Sequence, residues 1–163
     1  MKKGSFKDGF KLRESAGKGD GIFAARLFKA GETVMVGKIG KVLKENHSHA
    51  SQIGEHDYIF HAGLINKVNH SCEPNCGIKV NETGAHDFVA MADIIANEEI
   101  TFDYAMRNYG IDHFPKQCTC GSEKCRGKIT GWKDLSDIRK EEYKGFVAPY
   151  LLALDKKYSL AIV

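Results

Sequence analysis

Asn69-His70-Ser71-Cys72-Glu73-Pro74-Asn75-Cys76 is the stretch on which the reading of this chain turns. It packs an amide, an imidazole and two thiols into eight positions, with a proline that stops any helix running through them. Three other stretches belong with it in a fixed order. Gly17-Lys18-Gly19-Asp20-Gly21-Ile22-Phe23-Ala24 precedes it; Asn97-Glu98-Glu99-Ile100-Thr101-Phe102-Asp103-Tyr104 and Cys118-Thr119-Cys120-Gly121-Ser122-Glu123-Lys124-Cys125-Arg126-Gly127 follow. Glycines spaced as in the first allow a close backbone approach that a side chain would block.

The thiols carry the strongest chemical signal. There are five cysteines, Cys72, Cys76, Cys118, Cys120 and Cys125. An odd number in clusters argues for a metal rather than a disulfide framework. Cys118 and Cys120, then Cys125 beyond a glycine-containing loop, suit a tetrahedral ion that prefers sulfur, which is zinc in a closed structural site. The fourth ligand is Cys72 or Cys76, and spacing does not choose between them. His70 near Cys72 suggests a nucleophilic pair, but residues so close in sequence rarely face each other, and a metal claims the thiol. His47 and His49 read as part of an exposed polar loop.

The rest of the chain fits one globular domain. It has 163 residues, 42% hydrophobic and 28% charged, with a formal net charge of +3. That charge is too mild to argue for nucleic acid. Lys38, Lys41 and Lys44, and Lys2, Lys3 and Lys7, read as solvated lysines, with a basic groove for an acidic partner as the alternative. No apolar run is long enough to span a membrane, and no secretory signal follows the basic start, so the expected setting is cytoplasmic or nuclear; an unconventional secretion route would leave no mark. Short strands are expected at Ile22–Leu27, Thr33–Val36, Gly40–Leu43, Asp57–His61, Gly77–Val80, Phe88–Met91 and Glu99–Tyr104, with a turn at Asn81–Gly84. The tail changes character: a helix is expected from Asp134 to about Lys144, and another opening at Pro149 and running through Leu151, Leu152 and Leu154.

In this order and spacing the four stretches resemble a SET-domain protein-lysine methyltransferase with a post-SET zinc segment, of the small stand-alone type found in bacteria. The likeness runs from about Lys11 to Gly127. It implies a mainly β fold, the SET-type β-clip of short curved strands with a pseudoknot-like crossing. It divides the chain into a SET domain (11–110), a post-SET zinc segment (115–130) and a helical tail (131–163). It implies S-adenosylmethionine as cofactor, S-adenosylhomocysteine as product, and one structural zinc on Cys72, Cys118, Cys120 and Cys125, leaving Cys76 free. The cofactor side would be Lys18, Gly19, Asp20, Gly21, Asn69, His70 and Tyr104, with Trp132 closing over the cofactor or else anchoring the last helix. Tyr104 would be the active-site tyrosine. Phe102, pointing the same way on an extended stretch, would permit more than one methyl transfer, or else simply pack the core. The partner implied is a protein presenting a lysine, a histone or another basic protein. Two departures stand out: only Ala62-Gly63-Leu64-Ile65-Asn66-Lys67-Val68 precedes the octapeptide, and the insert between Val42 and Tyr58 is short. Two other readings compete, a SET-like module that binds without turnover and a zinc-ribbon nucleic-acid binder. The second lacks its aromatic basic surface, since only Lys116, Lys124, Arg126 and Lys128 surround the thiols.

Overall fold

The computed structural model describes residues 9–114 and 117–162. Lys2, Lys3, Lys7 and Lys116, weighed above as surface charges, lie outside the described residues. Ten strands come first: β1 (Phe10–Ser15), β2 (Gly19–Ala24), β3 (Thr33–Met35), β4 (Ile39–Leu43), β5 (Ser51–Gln52), β6 (Tyr58–His61), β7 (Asn69–His70), β8 (Cys76–Val80), β9 (His86–Ala90) and β10 (Glu99–Phe102). Helices α1 (Asp137–Glu142) and α2 (Pro149–Leu160) close the chain. Single 3-10 turns cover Gly63–Lys67, Tyr104–Met106 and Trp132–Asp134.

The strands form a mainly β body. One sheet of seven runs β1-β2-β10-β8-β9-β3, with β7 set beside β10, and a second runs β4-β6-β5. Local turns set the antiparallel pairs. β1 and β2 pair over their full length, Phe10 against Ala24 to Ser15 against Gly19. Gly17 and Gly19 take positive φ in and beside that turn, a conformation open to glycine at little cost. Between β8 and β9, the Asn81 side chain accepts from the Thr83 N–H at 3.0 Å and Gly84 supplies the left-handed residue.

β10 is the crossing point. It pairs antiparallel with β2 and parallel with both β7 and the start of β8, so Phe102 faces His70 and Cys76 in register. The octapeptide between them wraps the strand. Asn75 accepts from the Thr101 N–H at 2.9 Å and donates to the Glu99 carbonyl at 2.8 Å. The Ser71 N–H donates to the Phe102 carbonyl at 3.1 Å.

Ile22, Phe28, Ile78, Ile94, Ile100, Phe102 and Met106 form the buried centre, and Trp132, Tyr143, Leu151 and Leu154 from the tail complete it. α2 and the residues flanking α1 therefore share the core of the sheets. Pro149 sits in the first turn of α2, as expected. Trp132 is buried, and its indole N–H donates to Asp155 at 2.7 Å on α2. Ser136 caps α1, accepting from the Arg139 N–H at 3.4 Å.

Three expectations need correcting. β10 stops at Phe102, because the Asp103 side chain accepts from the Ala105 N–H at 3.0 Å and turns the chain into a 3-10 turn. Phe102 and Tyr104 therefore do not share an extended stretch. α1 is shorter than expected, because residues 132–134 form a separate turn. The strands β1, β5 and β7 were not expected at all.

Candidate active site and metal centre

The Asn69-His70 pair and Tyr104 meet because β7 lies in register with β10. The Tyr104 backbone N–H donates to His70 Nδ1 at 3.2 Å, and the two rings are 5.2 Å apart, edge to face. Together they wall a cleft of about 260 Å3, also lined by Lys18, Phe114, Thr119 and Ile129. The Asn69 side-chain amide is fixed twice, to Glu99 at 2.9 Å and to the Asp20 carbonyl at 3.0 Å. Lys18 pairs with the other Glu99 oxygen at 3.0 Å. Burial alone would raise the Glu99 carboxyl, but the Asn69 and Lys18 hydrogen bonds outweigh it and hold the carboxyl below its ordinary range. Gly21 earns its place by packing: a Cβ there would meet Glu99 at 2.7 Å and Asn69 at 3.0 Å.

His70 is neutral. Burial brings its imidazole down to about 4, against the pull of Asp103, whose Oδ1 lies 3.5 Å away. Since Nδ1 accepts from Tyr104, the ring proton sits on Nε2, which lies 3.3 Å from Cys72 Sγ. The expectation that His70 and Cys72 would not face each other is therefore wrong. The chain curls after β7 where Ser71 bonds to Phe102, and both side chains turn inward. The contact does not make a nucleophile, because burial pushes the Cys72 thiol far above its ordinary value.

Cys72, Cys118, Cys120 and Cys125 bring their sulfurs within 4.8 Å of one another. A tetrahedron of Zn–S bonds near 2.3 Å has sulfurs about 3.8 Å apart, and Cys72 and Cys118 are at 4.0 Å. Backbone amides point at the sulfurs, Arg126 to Cys72 and Gly127 to Cys125, both at 3.4 Å. Burial raises the Cys118 thiol to about 11, while on Cys120 hydrogen bonds overcome burial and bring it down to about 6. Four sulfurs this close carry four negative charges only around a cation, so the donor set fits zinc. Cys76 is elsewhere, fully buried in the core opposite Ala90 and Phe102. Among the described residues, no second group of this kind includes His47 or His49.

A family model for the SET domain matches residues 19–105, more than half of the chain. The chain belongs to the SET-domain family. It is 35% identical over 68 residues to the H3 lysine-4 specific histone-lysine N-methyltransferase of Saccharomyces cerevisiae, covering 40% of this chain and 6% of the relative. It is 32% identical over 151 residues to the histone-lysine N-methyltransferase TRX1 of Oryza sativa subsp. japonica, covering 77% of this chain and 14% of the relative. The chain thus spans a small fraction of the curated relatives it matches. Among solved structures, KRYPTONITE in complex with mCHH DNA, H3(1-15) peptide and SAH superimposes with a TM-score of 0.60 at 24% identity, over 74% of this chain and 29% of that one, a likeness of fold.

Two residues anticipated at this SET domain's site are placed elsewhere. Trp132 does not reach the cleft; its indole is held by Asp155 and buried with the tail, so it anchors the last helix. Phe102 is fully buried, its ring tilted against those of Phe88 at 4.5 Å and Tyr104 at 4.9 Å, and it is not among the residues that line the cleft. In exchange, three residues escaped the sequence reading. Phe114 packs its ring 5.1 Å from that of Tyr104. Arg107, almost wholly buried, sets its guanidinium 4.5 Å from the Tyr104 ring centroid. Asp103, fully buried, accepts from both terminal guanidinium nitrogens of Arg126 and from the Tyr143 hydroxyl at 2.9 Å. The only sequence signal for Asp103 and Arg126 was their place beside Tyr104 and Cys125.

Proposed function

We propose that this SET-domain chain is an S-adenosylmethionine-dependent protein-lysine N-methyltransferase, with one zinc holding the post-SET segment against the cofactor cleft. The observation that carries the reading is the meeting of Asn69, His70 and Tyr104 in one cleft that Cys118 and Cys120 of the thiol cluster also line. The cleft offers a cation, a fixed amide, a neutral imidazole, two aromatic rings and an apolar side chain, which suits a ligand with an amino-acid head and an aromatic base. Lys18, Asn69 and His70 would bind the head, and Phe114 and Ile129 would border the flat part. Gly19 and Asp20 would shape the approach through the backbone, since the Asp20 carbonyl is what orients Asn69. When bound, the cofactor supplies an electrophilic methyl on a sulfonium.

The protein must deliver a neutral amine, and a free lysine has a pKa of about 10.4. Cations close by and an apolar surround both disfavour the ammonium form. Arg107 provides a fixed positive charge beneath the Tyr104 ring, and Phe102 and Phe114 provide apolar neighbours. Tyr104 is not a base: burial raises its phenol above the ordinary value, so it stays protonated at neutral pH. Its hydroxyl contacts the Val68 carbonyl at 3.3 Å. From there it would orient the amine by hydrogen bonding, and the rate would come chiefly from alignment. Zinc would be held by the four thiolates, supplying structure and no step of the reaction.

The substrate would be a protein lysine, on a histone or another basic protein. The test pairs calorimetric titration of S-adenosylmethionine with transfer of a labelled methyl to a mixture of core histones. Tyr104→Phe should lower transfer at least about 100-fold with cofactor affinity changed less than about threefold. Cofactor binding without transfer to any protein would favour the non-catalytic module, and a fully active Tyr104→Phe would remove the role given to the hydroxyl.

A further inference from the structure

The surface around β4 is not used by the cleft or the thiol cluster. β4 ends its sheet, paired only with β6, so its other edge is open among the described residues. Nearly the whole strand is exposed, including Ile39 at 41% and Val42 at 73%. Gly40 is needed there because a Cβ would come within 3.0 Å of the Ala62 amide on the β6 side. The strand starts where a groove of about 480 Å3 ends. That groove is lined by Phe10, Met35, Val36, Leu64 and Ile65, with Lys38 at its rim. Val36 and Leu64 are exposed at 63% and 43%, so the apolar lining is open to solvent.

Three of the four charged residues from 38 to 45 are lysines. Lys38, Lys41 and Lys44 are exposed, and among the described residues none of them makes an ion pair; the acidic neighbour in sequence is Glu45. Lysines on an open edge deter pairing with a second copy, which would set like charges against each other. The same lysines favour an acidic strand: the register shift between Ile39 and Lys41 puts Ile39 and Val42 on one face and Lys41 on the other, so an alternating strand would set acidic side chains beside Lys41 and apolar ones beside Ile39 and Val42. We propose that β4 and its groove take an extended acidic segment of a partner protein, interspersed with β-branched residues, as an added strand. This surface would dock a partner of the opposite charge to a basic substrate, away from the methyl-transfer cleft.

The probe is a fluorescein-labelled EVEIEVE peptide, followed by anisotropy on the full chain. It should bind with a Kd on the order of 50 µM, as weak transient contacts do. K41E/K44E should weaken binding at least tenfold while thermal unfolding stays unchanged. Val42→Asp gives a second variant that leaves the lysines in place and should weaken it at least fivefold. Binding should slow amide hydrogen exchange at residues 39–43 at least fivefold, which a purely ionic contact would not do. Equal binding of KVKIKVK or of EGEGEGE would overturn the proposal, as would unchanged exchange at β4. Preferential binding of a single-stranded oligouridine would overturn it in favour of nucleic acid. A dimer by light scattering that excludes the peptide would overturn it in favour of a second copy.

Discussion

Cys72 and Cys76 are four positions apart and have different fates, decided by how the octapeptide bends around β10. Cys72 turns toward His70 and the three post-SET thiols; Cys76 enters β8 and points into the core. His70 couples the two halves of the site. Its Nδ1 receives the Tyr104 N–H and its Nε2–H faces the Cys72 sulfur. On the proposed reading, a histidine that meets the Cys72 sulfur with one nitrogen and the Tyr104 backbone with the other would make the metal centre and the cleft interdependent. Cys72→Ser should therefore lose zinc, measured as metal content after gel filtration, and lose methyl transfer with it. Cys76→Ala should keep a full equivalent of zinc and most activity, at a cost in stability of about 1 kcal/mol for the small cavity. Loss of zinc from the Cys76 variant would mean the fourth ligand has been misassigned.

At the level of elements, the post-SET segment is tied to the body by an ion pair as well as by its thiols. Asp103 accepts from Arg126, from the Tyr143 hydroxyl beside α1 and from the Ala105 amide, so one buried carboxylate joins three parts of the chain. Removing one partner of such a pair strands the other, at a cost of roughly 3–5 kcal/mol. Asp103→Asn should show that loss in urea unfolding, and Arg126→Met should cost less when combined with it than alone. Additive costs would mean the two do not act as a pair. The elements also show what the sequence could reveal. The strands β3, β4, β6, β8 and β9 were legible because apolar and β-branched runs end at glycines or turn residues. α2 was legible from Pro149. β7 was not, since two residues become a strand only through parallel pairing with β10, far along the chain. β1 carries its apolar residues, Phe10 and Leu12, on a surface strand, and Leu12 stays exposed at 43%. At the site, motif residues were legible and their supports were not: Phe114, Arg107 and Asp103 act through contacts that no local spacing encodes, and Trp132 went to the core because Asp155 holds its indole.

Across the whole molecule, sheet, insert and tail are joined under the site by buried polar groups. His61 Nε2 accepts from the His86 N–H at 3.0 Å, Ser51 meets His61 Nδ1 at 3.1 Å, and the Tyr150 hydroxyl of α2 lies 3.3 Å from His86. The two imidazoles sit 5.3 Å apart with the Arg107 charge nearby. Burial first, and that charge next, lower His61 to about 4; burial, then His61 and Arg107, hold His86 well below its ordinary value. Both folded values lie below the unfolded value near 6.5. Above that value both states are neutral, and the pair adds no pH dependence. As pH falls from about 6.5 toward 4 the unfolded chain takes up protons that the folded chain refuses, so stability falls. His61 should cost about 2 kcal/mol between pH 7 and pH 5, read as a falling urea midpoint, and His86 adds a loss of the same sign. His61→Gln should remove its share of that slope, whatever it does to stability at pH 7, while His70 leaves a remainder of the same sign. A midpoint that stays level from pH 7 to pH 5 would show that these histidines are solvated rather than buried, and that the tail is not locked onto the insert in the way the hydrogen bonds describe.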